Sequence, residues 1–319
     1  MRMINEVQKV LQAGWKIDLD VRMERIGVNN TTWQVGEVAW LARYDKDETN
    51  RVIRELDLYE YLSTKQLSDS DMMFFYPEVI RTTKGHRLYD DGTYLWKLSK
   101  NMIGVMPSQE NAELYPILAN GLGHFHRKLR EVPLDFAVTS TKLVQTVGAY
   151  VSMIGDISWD ICGDSAIKAI EEENILFIKN AALQLSTNFN KVRELPIQLI
   201  HGDFTHPNLR IKEDHTKLIG VLDLEFCSAD PALLDLATVV LTLLTRSRLS
   251  EPAKLLSEII KAYEGGGGYV DPATLEVAVL ARKFDSYWYH RNRFLEGKGT
   301  LETYQRQLEQ LKLVMETFG

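Results

Sequence analysis

The chain changes rhythm once, near Asn111, and that change constrains its fold more than any other feature. Before it, VRMERIGV, TTWQV and EVAWLARY carry strand-like patterning, with apolar and polar residues interleaved as on a half-buried sheet. Breakers at Gly27-Val28-Asn29-Asn30 and at Gly36 separate them, so three strands joined by tight turns are expected. A helix is expected on either side: INEVQKVLQAGW, stopping at Gly14, and ETNRVIRELDLYEYL. In the second, Val52, Leu56, Tyr59 and Leu62 share one face, and Glu55 flanks that stripe and points inward. A further strand pair is expected across PEVIRTTKGHRLY and TYLWKLSKN, punctuated by Asp91-Gly92.

From Asn111 onward apolar residues recur at helical spacing in ELYPILANGLGHFHRKL, LVQTVGAYVSMI, 165–187 and everything from 232 to the end. The exception is 197–227, where IQLIHGD and LIGVLDLEF are short apolar runs that finish at acidic residues. The fold class is therefore α+β: a mainly antiparallel sheet first, then helices with a small β insert, joined near Ser99–Pro107. No repeat of 20 to 50 residues is apparent. With 319 residues, 45% of them hydrophobic, two domains or lobes are expected. A net charge of −7 argues against nucleic acid as the main partner. No run of 18 apolar residues suggests a membrane span, and the amphipathic start MRMINEVQKVLQAGWKI has no export signature. Two cysteines then read as reduced thiols, and a cytoplasmic location is expected. Neither CxxC nor HxxxH is present to suggest zinc.

Chemistry concentrates in 200–208, IHGDFTHPN. Asp203 follows a strand-like run, Asn208 comes five positions later, and Asp223 follows after twenty, with Glu225 two further on. Two carboxylates and an amide make an oxygen-rich set that suits Mg²⁺, and a carboxylate beside that metal can orient or deprotonate a hydroxyl. Taken alone, HGDFTHPN is also compatible with a turn in which Asp and Asn cap neighbouring backbone.

HGDFTHPN together with VLDLEFCSADPALLDLA resembles the phosphotransferase family that includes aminoglycoside, choline/ethanolamine and homoserine kinases. The resemblance implies a protein-kinase-like two-lobed fold: an antiparallel-sheet nucleotide-binding lobe over 1–98, a hinge at 99–107 and a mainly helical lobe over 108–319. It further implies Asp203 as the catalytic base, Asn208 and Asp223 as metal ligands, Mg²⁺ as cofactor and ATP or GTP as donor. The donor is expected near Leu98 and Asn101 at the hinge, under the turn holding Asn29 and Asn30. That turn lacks a G-x-G-x-x-G and is equally compatible with a plain hairpin. Glu55 is expected to pair a strand cation near the phosphates. EVAWLARY offers only Arg43 for that role, with Ala42 as the other possible register; if Ala42 holds the position, another base must serve.

Asp223 is followed by EFCSAD and then directly by Pro231 and an apolar run, which leaves no room for a peptide-docking segment. A small-molecule acceptor is expected, with the chain a monomer or homodimer. Asp156, Asp160 and Asp164 around Trp159, with Trp288 and Tyr289, would suit an amine-bearing alcohol, although a solvated acidic face explains the three aspartates as well. His126 is expected to pack under the catalytic loop and Asp235 to brace it. Gly265 to Gly268 read as a helix–helix loop, and Cys227 as a small buried residue. The rival class is a catalytically degenerate kinase-like binding protein, favoured by the uncertain strand cation.

Overall fold

The alternating segments at 21–45 and 94–100 pair into one sheet in the computed structural model, which describes residues 2–26, 31–65, 74–140, 142–155, 165–246 and 252–318. The chain divides into two compact units, Met1–Val105 with Ile219–Glu225, and Met106–Leu218 with Phe226–Gly319.

In the first unit, helix α1 (Arg2–Trp15) runs one residue past Gly14 and ends where Lys16 turns to φ +56°. Strands β1 (Val21–Ile26), β2 (Thr31–Val35) and β3 (Ala39–Asp45) form the expected meander, and helix α2 (Thr49–Lys65) follows. Strands β4 (Tyr89–Asp90) and β5 (Tyr94–Lys100) complete a five-stranded sheet of order β1-β2-β3-β5-β4. The first arm of the expected second pair is mostly irregular: of 77–88, only Val79 bridges to Ser99, and regular pairing is confined to Tyr89–Asp90. The Asp91 carboxylate accepts the backbone N–H groups of Thr93 and Tyr94, which fixes the turn tightly and keeps the arm short.

Side chains alternate across β3 and β5, so the sheet separates two cores. On one face Trp33, Leu41, Trp96 and Leu98 pack with Val7, Leu11 and Trp15 of α1. On the other, Ala42, Tyr44 and Leu95 pack with Val52 and Leu56 of α2. Residues 219–225 belong to this unit, anchored by Phe75 N–H to Ile219 O (2.7 Å) and Val221 N–H to Phe75 O (3.2 Å).

The second unit is built on helices α3 (Leu114–Leu129), α4 (Leu143–Gly155), α5 (Ser165–Asn188) and the short α6 (Asn190–Arg193). Strands β6 (Ile197–Ile200) and β7 (Leu209–Ile211) flank the 200–208 motif, and β8 (Leu218–Val221) leads the chain into the 219–225 segment of the first unit. Strand β9 (Ser228–Pro231) pairs antiparallel with β6, and α7 (Leu233–Arg246), α8 (Pro252–Gly265), α9 (Pro272–Leu295) and α10 (Leu301–Phe318) follow. The glycine run after α8 serves packing: a Cβ on Gly266 would lie 2.3 Å from Asn120 O and 3.0 Å from the Gly123 Cα, so only glycine lets this turn meet α3. Among the described residues no helix is long and apolar enough to cross a membrane.

Candidate active site

In the first unit, α2 carries Glu55 inward beside its apolar stripe, where it is buried. Its partner is Lys97 of β5, whose Nζ donates to Glu55 Oε2 at 2.8 Å. Burial alone would lower the Lys97 pKa, but the charge of Glu55 and its hydrogen bond override it and raise it, so the ammonium stays charged. Tyr44 of β3 lies under that ammonium, its ring centroid 5.3 Å from Nζ, and burial holds its phenol protonated. Burial, together with the charges of Glu55 and Asp223, likewise keeps the Tyr59 phenol protonated. The Tyr59 oxygen accepts the Leu224 N–H at 3.2 Å, which pins the backbone directly after Asp223. Asp223 itself sits at φ +60°, a left-handed conformation rare outside glycine that points to a tightly determined local structure.

Arg43 is not brought to Glu55. A strand turns successive side chains to opposite faces, and Arg43 emerges on the α1 face, 4.4 Å above the Tyr94 ring and 5.7 Å from that of Trp33. Position 42 faces α2, but it is alanine, and its cross-strand partner is Lys97. Leu98 is not at the end of the sheet: it is fully buried in mid-strand, packed in the α1-side core, with its carbonyl accepting the Ile80 N–H at 2.8 Å. Asn101 lies just past β5 and ties it to the β2–β3 turn. Its N–H donates to Val38 O (2.8 Å), its Nδ2 to Glu37 O (3.3 Å), and its Oδ1 accepts from Trp40 Nε1 (3.2 Å). Asn29 and Asn30 lie outside the described residues, as do Asp156, Trp159, Asp160 and Asp164.

In the second unit, β6 delivers the chain to His201-Gly202-Asp203, and a 3-10 turn at His206–Asn208 returns it. The Asn208 Nδ2 donates to both the Asp203 backbone oxygen and Asp203 Oδ2, each at 3.0 Å. With the amide nitrogen engaged on Asp203, the amide oxygen Oδ1 is the end that faces elsewhere. The Asp203 N–H donates to His201 Nδ1 at 3.2 Å.

Beneath the loop sits Asp235 of α7, which accepts the His201 and Gly202 N–H groups at 2.7 and 2.9 Å. His126 Nε2 lies 3.0 Å from Asp235 Oδ2, and His126 Nδ1 lies 2.7 Å from the Tyr263 hydroxyl. Burial would raise the Asp235 pKa, but the His126 hydrogen bond and the His126 and His201 contributions lower it, so it stays a carboxylate. His126 and Asp235 thus stand where the sequence reading puts them, under and behind the loop. Arg282 of α9, which the sequence reading did not single out, donates to Gly202 O and Thr238 Oγ1, both at 3.0 Å. No motif marks it; only the packing of α9 against α7 brings it to the loop. His206 is largely buried against Tyr115, and that burial lowers its pKa to about 4, which keeps it neutral. Cys227 is buried, and burial pushes its thiol up and out of reactive range.

Asn208 of the second unit offers an amide oxygen and Asp223 of the first a carboxylate; each is a hard oxygen donor of the kind Mg²⁺ takes when substrate phosphates complete its shell. Among the described residues, no three His, Cys, Asp or Glu side chains converge as a cage of their own.

A braced Asp–Asn loop in a helical unit and a buried Lys–Glu pair beneath an antiparallel sheet belong to the protein-kinase-like class of phosphotransferase folds. The chain belongs to the phosphotransferase enzyme family APH, whose model matches residues 25–276. It is similar to APH(2")-IIia, solved with GDP and kanamycin, at 14% identity and a TM-score of 0.71 over 98% of this chain and 99% of that one. It is similar also to a microcompartment-associated aminopropanol kinase, at 16% identity and a TM-score of 0.70 over 99% of this chain and 98% of that one. Spectinomycin phosphotransferase APH(9)-Ia, solved with ADP and spectinomycin, shares 15% identity and a TM-score of 0.63 over 99% of this chain and 94% of that one. Comparison with curated proteins finds no match. At these identities the likeness to solved structures shows the fold.

Proposed function

We propose that this protein transfers the γ-phosphoryl group of ATP or GTP to a hydroxyl of a small, amine-bearing molecule, with Mg²⁺ as cofactor. The observation that carries the reading is the clamp of Asn208 on Asp203. It orients one oxygen of the Asp203 carboxylate and leaves the other to take a hydrogen bond from an acceptor hydroxyl. Asp203 then holds that hydroxyl for in-line attack and receives its proton as the new O–P bond forms. Asp235, through the His201 and Gly202 N–H groups, and Arg282, through Gly202 O, hold the loop in place. Phosphoryl transfer asks little covalent chemistry of the protein, so positioning supplies most of the rate. Bound Mg²⁺, held by Asn208 and Asp223, supplies charge neutralisation for the donor phosphates.

The acceptor reading rests on two supports. Only Leu224 to Asp230 separate Asp223 from Pro231, too short a stretch to dock a peptide. Similar structures are named for kanamycin, spectinomycin and aminopropanol, all amine-bearing alcohols. A soluble, cytoplasmic enzyme acting as monomer or homodimer is part of this reading.

Thermal unfolding with Mg²⁺ plus ATP, with Mg²⁺ plus GTP, and with neither tests it first. A ligand at a hundred times its Kd stabilises the native state by about 2.7 kcal/mol, a readily measured rise in Tm. Phosphorylation of an amino-alcohol and aminoglycoside panel follows with the donor so identified. Asp203→Ala should abolish turnover and leave nucleotide binding nearly intact, whereas Asp223→Ala should weaken Mg-nucleotide binding itself. No Mg-dependent rise in Tm with either nucleotide, or near-normal turnover by Asp203→Ala, would overturn the reading.

A further inference from the structure

We infer that the cation meeting the donor phosphates is Lys97 on β5, and that residues 42 and 97 form one interchangeable cross-strand position for that charge. The inference rests on the phosphotransferase reading above and assigns a binding residue that the 200–223 motif does not contain.

Three observations carry it. The first is register. Ala42 and Lys97 are direct antiparallel partners, which places their Cβ atoms about 5 Å apart on the same face. Leu95, two residues before Lys97, packs on the α2 side with Ala42, Tyr44, Val52 and Leu56, which identifies that face as the one Glu55 occupies. A lysine on either strand of this pair can therefore reach Glu55, and only β5 supplies one.

The second is the chemistry of the ammonium. Lys97 Nζ has three N–H donors. Glu55 takes one at 2.8 Å. Even with a second turned toward Tyr44, whose ring centroid lies 5.3 Å from Nζ, one donor is left for an anion. The Lys97 side chain keeps 10% of its surface exposed, against 4% for Glu55, so Lys97 is the less enclosed member of the pair.

The third is the neighbourhood. Tyr44 and Tyr59 both feel the charges of Glu55 and of Asp223, so the Lys–Glu pair and the candidate metal ligand share one electrostatic environment within this unit. One ammonium beside two carboxylates sums to a single negative charge, which alone would repel a polyphosphate. A divalent cation on Asp223 reverses the sign, and Lys97 then faces phosphate oxygens with a net positive surround. Arg43, held over Trp33 and Tyr94 on the opposite face, has no part in this.

A plain structural ion pair would have the same distance, so the test separates the two. Equilibrium binding of the Mg-nucleoside triphosphate and of the matching free nucleoside is measured on wild type, Lys97→Ala, Arg43→Ala and the double variant Ala42→Lys/Lys97→Ala. The pair Glu55→Gln/Lys97→Met, which removes both charges, guards against misfolding of the single variant. Lys97→Ala and the charge-free pair should lose roughly tenfold to a hundredfold in triphosphate affinity, as a charge-assisted contact warrants, with nucleoside affinity unchanged. Ala42→Lys/Lys97→Ala should recover most of that loss, and Arg43→Ala should match wild type. Equal losses for nucleoside and triphosphate, wild-type binding by the charge-free pair, or no recovery in the double variant would overturn the assignment of Lys97 and leave the phosphotransferase reading standing. A wild-type protein that binds no nucleotide would remove both.

Discussion

Lys283 of α9 is a buried amine with no carboxylate partner among the described residues, and its replacement by methionine should stabilise the protein at low pH and lose that gain as pH rises. Its side chain is 1% exposed and donates to the amide oxygens of Gln307 and Gln310 on α10. Burial, reinforced by the positive charges of Arg306 and Arg246, lowers its pKa from 10.5 to about 7. An unfolded lysine keeps its proton to about pH 10.5, so between 7 and that value the unfolded state binds more protons and stability rises with pH. Below pH 7 both states are charged and the native state carries the whole penalty, about 5 kcal/mol at about 1.4 kcal/mol per pH unit.

Lys283→Met removes that penalty. It leaves Gln310 without this donor, while Gln307 keeps the Ser286 hydroxyl at 3.0 Å, so the change costs about 1 kcal/mol at every pH. The variant should then be more stable by roughly 4 kcal/mol at pH 6 and close to wild type near pH 10, where about 1 kcal/mol of the penalty remains to offset the lost hydrogen bond. Calorimetric Tm at pH 6, 8 and 10 reads this directly, at about 2–4 °C per kcal/mol for a unit of roughly 200 residues. A Tm difference that stays constant from pH 6 to 10, or a less stable variant at pH 6, would refute the reasoning.

Two further predictions concern the Asp203–Asn208 loop. Gly202 sits at φ +82° with a hypothetical Cβ only 2.3 Å from Phe226 O, so Gly202→Ala must shift backbone next to Asp203; a steep loss of kcat with a lowered Tm is expected, and kcat within twofold of wild type would show that the loop tolerates displacement. Asp235→Ala strips two buried N–H groups and His126 of their acceptor and should cost about 3–5 kcal/mol near neutral pH. Because the native pKa of Asp235 is lowered, its contribution is full above the ordinary value of about 3.9 and fades as pH falls through the native one. Denaturation curves at pH 7 and pH 3 should therefore differ more between the two proteins at pH 7, and an equal gap at both would count against the network.

The fold class and the Asp203–Asn208 loop were legible because both are local in the chain. Period-two and period-3.6 patterning separate sheet from helix without any tertiary information, and Asp203 and Asn208 are five residues apart, so one turn brings them together. His126 and Asp235 were legible as support because each falls on the apolar face of a helix adjoining the motif. The weak arm at 77–88 was not, since its residues have strand propensity yet bond to β5 only at Glu78–Ile80 before the chain turns away. Leu98 was misread because an apolar residue near a strand end looks the same whether it lines a site or fills a core.

The strand cation shows where the sequence stops. Alternation in EVAWLARY and TYLWKLSK tells that residues 42 and 43 oppose each other, as do 97 and 98, but not which face meets α2. That is set by the register of β3 on β5 and by two cores that assign α1 to one face and α2 to the other. Arg282 and Lys283 carry the same lesson on α9: adjacent in sequence, one reaches Gly202 and the other is sealed against α10. Sequence alone determined the order of elements and the acidic–amide motif, and resemblance to the family added the expectation of a cation opposite Glu55. Tertiary structure decided which cation answers it, because a side chain's partner across a sheet depends on register and facing, and neither is written in the neighbours along the chain.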